Sequence, residues 1–127
     1  MTDRYVLLGQ TPVPEPDLMI WAAWFEEHSN SIVKQERLLD LVLVATVFLG
    51  FDHRFGAGPP LLFETMTFWD GGDSDVQERC STWSEAEEQH ARIAREALQP
   101  SAVWRYCWGM ILQWWDAAKS DWEEGKL

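Results

Sequence analysis

The chain has few of the features that mark disulfide-stapled, zinc-binding or membrane-spanning proteins. Its two cysteines, Cys80 and Cys107, lie far apart and form no CxxC pair, which favours two reduced thiols over a disulfide or a zinc site. No apolar run reaches the roughly 18 residues of a membrane span, the longest being residues 41–51. The first residues lack the basic and apolar regions of a signal peptide, so we expect a cytoplasmic protein.

Basic residues are also scarce. Ten Lys and Arg stand against 21 Asp and Glu, for a net charge of −11. Nucleic acids and anionic membranes bind basic patches, so this charge argues against both as direct partners. An acidic surface serves solubility, and it also suits docking on a basic protein.

The motifs of common enzymes and metal sites are missing. The sequence contains no Walker A, GxGxxG, HExxH or GxSxG pattern. His28, His53 and His90 lie on different elements without ligand spacing. The aspartates in residues 70–75 flank two glycines but lack the EF-hand spacing, so we expect a solvated turn there. We therefore expect neither a metal nor a cofactor.

The length and the hydrophobic pattern predict an α+β fold. A chain of 127 residues suits one domain. We expect a small, mostly antiparallel sheet of three to five strands packed by two helices, plus a C-terminal Trp-rich amphipathic helix. The predicted strands are residues 4–8, 32–38, 41–49, 61–69 and 76–81. The proline-rich residues 11–16 are predicted to be a stiff connector.

The helices have clear boundary signals. Asp17 is an acidic residue at the start of the first helix. Thr82 and Glu85 fit a capping box for the second, and Pro100 ends it. Its inner stripe includes Ala86, His90 and Ile93. Residues 1–99 should thus form the α+β region, and residues 100–127 a helix packed on it within one compact domain.

Residues 46–68 read as two strands around a loop rich in glycine and proline. If the strands pair about the centre of this loop, Glu64 falls opposite Thr46. Glu64 lies on an apolar face, so it needs a buried polar partner or a wet groove.

The loop carries Asp52, His53 and Arg54, the one local cluster that suggests chemistry. A His beside an Asp suits a general base, and an Arg suits an anion. The alternative is an ordered turn in which Asp52 bonds loop N–H groups. Glu64 would lie about six residues from Asp52, or roughly 20 Å along the strand, too far to join this cluster.

Tryptophan is over-represented, with nine residues, five of them in the last 24 positions. The apolar face of the last helix is wider than one packing contact needs. We expect Trp104, Trp108, Trp115 and Trp122 to face a second partner, while residues such as Val103, Cys107, Met110 and Trp114 face the domain. A core role is the alternative, and a membrane-surface role would require a basic polar face that the helix lacks. Homodimerisation is the commonest form of such an interface.

Three segments resemble one protein family. They are DLMIWAAWFE at residues 17–26, residues 46–68, which begin TVFLGFDHRF and end FETMTF, and STWSEAEEQH at residues 81–90. The pattern TVFLGLDHxFG…GPPLLFETMVF…STWEEAxxGH is similar and occurs in small proteins of bacteriophages, prophages and mobile elements. The resemblance covers about residues 4–95 and departs from the pattern at Phe51, at Gln89 and after Pro100. It implies no activity. It implies a setting in which small acidic proteins bind host proteins, including defence complexes such as CRISPR–Cas.

These observations lead to three functional expectations. The first is a non-catalytic accessory protein that binds and inhibits or modulates a host protein through the Trp stripe and the acidic surface. The second is an enzyme or small-ligand binder that uses Asp52, His53 and Arg54. The third is a homodimeric structural protein that the Trp stripe closes.

Overall fold

The computed structural model describes residues 2–70 and 74–125, with only the backbone of residues 75 and 76. It confirms the α+β fold. In chain order the elements are β1 (Tyr5–Leu8), β2 (Thr11–Pro14), α1 (Leu18–Glu26), a short 3₁₀ helix (His28–Ser31), β3 (Ile32–Leu38), β4 (Val42–Phe48), β5 (Phe63–Trp69), β6 (Ser74–Cys80), α2 (Trp83–Ala97) and α3 (Pro100–Glu123).

The strands form two antiparallel sheets. β1 and β2 make a two-stranded sheet, and β3, β4, β5 and β6 make a four-stranded sheet in that order. The sequence prediction of a stiff connector at residues 11–16 was therefore wrong. Pro12 and Pro14 lie in β2, opposite Leu7 and Tyr5. Proline is tolerated there because a two-stranded sheet has only edge strands.

The chain divides into two units, the first ending at Ala94 and the second beginning at Arg95. The prediction that residues 100–127 pack on residues 1–99 as one compact domain stays a prediction. The predicted turn at residues 70–73 lies largely outside the described residues.

α1 begins where the sequence predicts, because Asp17 caps it. The Asp17 carboxylate accepts hydrogen bonds from the backbone N–H groups of Met19 and Ile20, at 2.9 and 3.1 Å. The Trp21 indole N–H donates to the Gly50 carbonyl at 3.0 Å, which ties α1 to the end of β4.

Gly50 is needed at that contact for two reasons. Its φ is +72°, a backbone conformation that side chains with a Cβ adopt at a cost. A Cβ at this position would also lie 2.0 Å from Phe25 Cζ. Phe25 in turn stacks on Phe48 with ring centroids 6.1 Å apart. The glycine therefore lets α1 approach the sheet closely.

The core of the first unit lies on one face of the four-stranded sheet. Phe48, Leu62, Phe63, Cys80 and Ala86 form the buried cluster. Half-buried aromatic side chains of α1 and α2 pack against it: Trp24, Phe25 and Trp83. The predicted inner stripe of α2 is confirmed, since Ala86, His90 and Ile93 are all buried. Thr82 caps this helix by accepting from the Glu85 backbone N–H at 3.1 Å.

The register of β4 and β5 differs from the prediction by one residue. Glu64 pairs with Val47, and Thr46 pairs with Thr65. The Leu49 N–H bonds the Leu62 carbonyl at 2.7 Å, which continues this register past the ends of the strands. This shift places Thr46 and Thr65 side by side on the buried face.

Candidate functional site

The Asp52 carboxylate organises the loop between β4 and β5. Its Oδ1 accepts hydrogen bonds from the backbone N–H groups of Arg54 and Leu61, at 2.9 and 3.1 Å. Its Oδ2 lies 2.8 Å from the Arg54 Nε, and the Asp52 side chain is only 6% exposed. A carboxylate with both oxygens engaged in this way holds a turn together. The geometry matches the ordered-turn alternative for Asp52.

His53 is held by a different group. Its Nδ1 lies 2.7 Å from the Phe51 carbonyl, and since a carbonyl only accepts, Nδ1 carries the proton. The Arg54 guanidinium also donates to the Gly58 carbonyl. The structure thus pairs Asp52 with Arg54, but it orients His53 through the backbone and not through the Asp52 carboxylate. An Asp-oriented general base is not formed.

A groove of about 720 Å³ lies beside this loop, formed by residues 2–5, Pro14, Pro16 and Phe51. Asp52, His53 and Arg54 are not among the residues that line it. The concave site at the loop that the enzymatic hypothesis requires therefore does not coincide with this groove.

Glu64 is paired with two polar side chains of β6. Its Oε2 accepts from the Gln77 side-chain amide at 2.7 Å and from the Arg79 Nε at 2.9 Å. Glu64 is 8% exposed, so this pairing offsets the cost of burying its charge. The sequence predicted a buried polar partner or a wet groove for Glu64; its partners Gln77 and Arg79 are polar but exposed, so the buried partner is not confirmed.

A buried chain of hydrogen bonds beneath α2 is the feature that sequence reasoning missed. The Gln89 amide donates to Thr65 Oγ1 at 2.8 Å, and the Thr65 and Thr46 hydroxyl oxygens lie 2.7 Å apart. Thr46 Oγ1 lies 2.7 Å from His90 Nδ1, and His90 Nε2 lies 2.7 Å from Glu36 Oε1. One proton arrangement satisfies every group, with each member donating to the next from Gln89 to Glu36.

This chain of hydrogen bonds contains a hydroxyl, an imidazole and a carboxylate in series, as the catalytic sites of serine hydrolases do. Thr46 is fully buried, however, and His90 is 1% exposed, so a substrate cannot reach the hydroxyl. The hydrogen bond from His90 holds the pKa of Glu36 below its usual value. The arrangement therefore joins β3, β4, β5 and α2 through satisfied polar contacts.

Part of this hydrogen-bond chain was recognisable from the sequence. Thr46 interrupts an apolar strand, Thr65 lies on the buried face of β5, and His90 lies on the inner stripe of α2. Each departure from apolar patterning marks a buried polar group that needs a partner. The partners themselves come from elements far apart in the chain, so the sequence did not pair them.

The buried Cys80 thiol does not add a reactive group. Cys80 and Cys107 are both free. Burial, followed by the nearby Glu85 charge, raises the pKa of the Cys80 thiol to about 11. Cys80 therefore stays protonated at neutral pH and is a poor nucleophile.

The four Trp residues predicted to contact a partner are exposed on α3. Trp104 is 64% exposed and Trp115 is 60% exposed, and Trp108 and Trp122 are exposed as well. The rings of Trp104 and Trp108 stack with centroids 6.0 Å apart. None of the 24 residues of α3 is buried.

The exposed apolar surface of α3 is wider than this stripe. Trp114 and Met110, which were expected to face the domain, are 67% and 51% exposed. Ile111 and Leu112 are exposed too. Large apolar surfaces on a folded protein commonly mark binding sites.

Two further functions receive no support from the described residues. Within residues 2–70 and 74–125, no three His, Cys, Asp or Glu side chains come together as a metal site. Among the helices in these ranges, none has the length and apolarity that crossing a membrane requires.

Comparisons with protein-family models, with curated proteins and with solved structures gave no match. The resemblance to small phage proteins therefore remains an expectation.

Proposed function

We propose that this chain is a non-catalytic protein that acts by binding another protein through α3. The observation that carries the proposal is the exposure of Trp104, Trp108, Trp115 and Trp122 on one continuous helix. Trp is the residue most enriched in the energetic centres of protein interfaces, where its large ring surface is removed from water. Leaving four such rings exposed costs solubility unless a partner covers them.

The chemistry of the helix favours a protein partner over a membrane or a nucleic acid. The helix carries Asp116, Asp121 and Glu123 among its charged side chains, and the whole chain has a net charge of −11. Anionic lipids and nucleic acids would be repelled by such a surface. A protein partner with a matching apolar surface would not.

The narrower form of the proposal is a phage-type accessory protein that inhibits or modulates a host protein. The resemblance of residues 4–95 to small phage proteins suggests this setting. A component of a defence complex such as CRISPR–Cas is one candidate target, located in the bacterial cytoplasm.

Capture from a bacterial host lysate tests the proposal. The intact protein and the double variant Trp108→Ala/Trp115→Ala serve as bait, and Phe55→Ala is the matched control because Phe55 is an exposed aromatic side chain in the β4–β5 loop. We expect the double variant to lose at least about tenfold in captured partner, the range of an interface hot spot. The control should capture as much as the intact protein.

The opposite result would contradict the proposal. If the double variant captures the same partner in the same amount, α3 is not the interface. If His53→Ala abolishes an activity while the double variant retains it, the loop and not the helix carries the function.

A further inference from the structure

The exposed Trp residues of α3 belong to a regular series of apolar positions. With Ile111 and Ala118 they form the series 104, 108, 111, 115, 118 and 122, with steps of four, three, four, three and four residues. These six residues are called the seam below. Apolar residues at alternating steps of four and three residues are the pattern of helices that pair side by side.

In the structure, this spacing places the six residues along one face of a helix. α3 is one helix from Pro100 to Glu123, so the seam runs along a single face. At 1.5 Å per residue it extends for about 27 Å. Five of its six members are large exposed apolar side chains, and the sixth, Ala118, is half-buried. A second helix laid along this face would cover the whole seam.

The order of large and small side chains along the seam suits a second copy running in the opposite direction. In the register that overlaps all six positions, Trp108 lies opposite Ala118 of the second copy, and Trp115 lies opposite Ile111. Trp104 lies opposite Trp122 at the two ends. Large residues then face smaller ones in the four inner layers, as close packing requires.

The parallel arrangement fits worse. It would place each of Trp104, Trp108, Trp115 and Trp122 opposite itself, which gives four layers of paired indole rings and one layer of paired alanines. Two helices cannot pack such layers evenly.

The centre of the antiparallel register explains the extra apolar surface. The two-fold axis passes between the two helices at the level of Gln113. Leu112 and Trp114 flank the seam on opposite sides, so each of them lies beside its own equivalent in the second copy. Both side chains are exposed in the single chain. A surface that meets itself across a two-fold axis is the usual form of a homodimer interface.

We infer that α3 pairs antiparallel with the α3 of a second copy, with the axis near Gln113. The inference shares its surface with the proposed function, because the second copy would cover the same Trp stripe and compete with a host partner for it. Charge opposes the pairing: Arg105 lies near Lys119 of the second copy, and each chain has a net charge of −11. Exposed like charges repel weakly and are screened by salt, so the dimer should tighten as salt rises.

A size-swap experiment on the full-length protein tests the register. Ala118→Trp should clash with Trp108 of the second copy and weaken the dimer by roughly tenfold or more. Trp108→Ala/Ala118→Trp exchanges the two sizes and should restore it, because antiparallel pairing sets position 108 against position 118. The matched control is Ala117→Trp, the same substitution one residue earlier and outside the seam. The mass is measured by sedimentation equilibrium over a concentration series, with circular dichroism to check folding.

Each outcome decides the inference. A wild-type dimer that Ala118→Trp dissociates, Ala117→Trp leaves intact and the size swap restores supports it. A wild-type chain that is monomeric at about 100 µM overturns it, because the inferred pairing then does not form even at this high concentration. A dimer that survives Ala118→Trp, or that the size swap does not restore, also overturns it.

These outcomes are independent of the lysate capture. A monomer that still captures a host protein through Trp108 and Trp115 leaves the proposed function standing without the dimer. A dimer that captures nothing leaves the dimer standing without the proposed function.

Discussion

The interior beneath α2 and the surface of α3 use their unusual side chains in opposite ways. Beneath α2, Thr46, Thr65, Gln89 and His90 are buried, and their hydrogen bonds are all made within the chain. On α3 the Trp side chains are exposed, and the helix has no buried residue. The buried polar side chains, which resemble a catalytic site, thus hold the fold together. The Trp side chains, which would suit a core, remain exposed and can contact a partner. The exposed face of α3 is therefore the surface that is available to a partner.

The largest expected difference is between two variants that each replace an aromatic side chain by alanine, one in each region. Phe63→Ala should lower the free energy of unfolding by about 3–5 kcal/mol, because Phe63 is fully buried in the core cluster and its loss leaves a cavity. Trp114→Ala, in an exposed position, should change it by no more than about 0.5 kcal/mol when measured on monomeric protein. Urea unfolding followed by circular dichroism gives both values.

That contrast breaks if the two variants lose similar stability. A large loss in Trp114→Ala would mean that α3 contributes to the folded core of the chain and that its Trp residues are not available for a partner.

An intermediate effect is expected from the buried hydrogen-bond chain. Thr46→Val preserves the side-chain shape but removes the hydroxyl between Thr65 and His90, which leaves a buried nitrogen without a donor. The free energy of unfolding should fall by about 1–3 kcal/mol. The control is Thr11→Val, since Thr11 is exposed in β2 and should tolerate the change. Equal, small losses of stability in both variants would show that the buried hydrogen bonds contribute no stability.

The smallest effect concerns pH. The hydrogen bond from His90 lowers the pKa of Glu36 in the folded protein. A depressed carboxylate pKa stabilises the fold above the unfolded pKa, and this contribution is lost as pH falls through the folded pKa. The wild type should therefore lose more stability between about pH 6 and pH 3 than Glu36→Gln. Urea midpoints over that range measure the difference, with Glu88→Gln, an exposed acid of α2, as control.

A pH profile of Glu36→Gln that runs parallel to the wild type would contradict this assignment. It would mean that the Glu36 charge does not stabilise the folded state through His90.

The local elements were predictable because their signals are local. β3 falls at the predicted residues, α1 begins after Asp17, and the capping signal at Thr82 marks the start of α2. The proline-rich residues 11–16 misled, because proline excludes a central strand but not a strand in a two-stranded sheet. The register of β4 and β5 was misplaced by one residue, since loop symmetry is a poor guide to pairing.

The candidate site divides in the same way. Exposure of Trp104, Trp108, Trp115 and Trp122 follows from an apolar face too wide for one packing contact, which the sequence contains. The fate of Asp52 and His53 does not follow from their adjacency. It depends on the Leu61 N–H and the Phe51 carbonyl, which the folded loop brings within hydrogen-bonding distance.

The sequence by itself determined the α+β class, the acidic character and the Trp-rich last helix. Composition follows from counting residues, and the spacing of apolar residues that distinguishes helix from strand is visible within a few neighbouring positions. Only the tertiary structure decided that Glu64 meets Arg79 and that His90 links Thr46 to Glu36. Those contacts join residues that are 15 to 54 positions apart in the chain. Register and helix packing set them, and neither is encoded in any short stretch of residues.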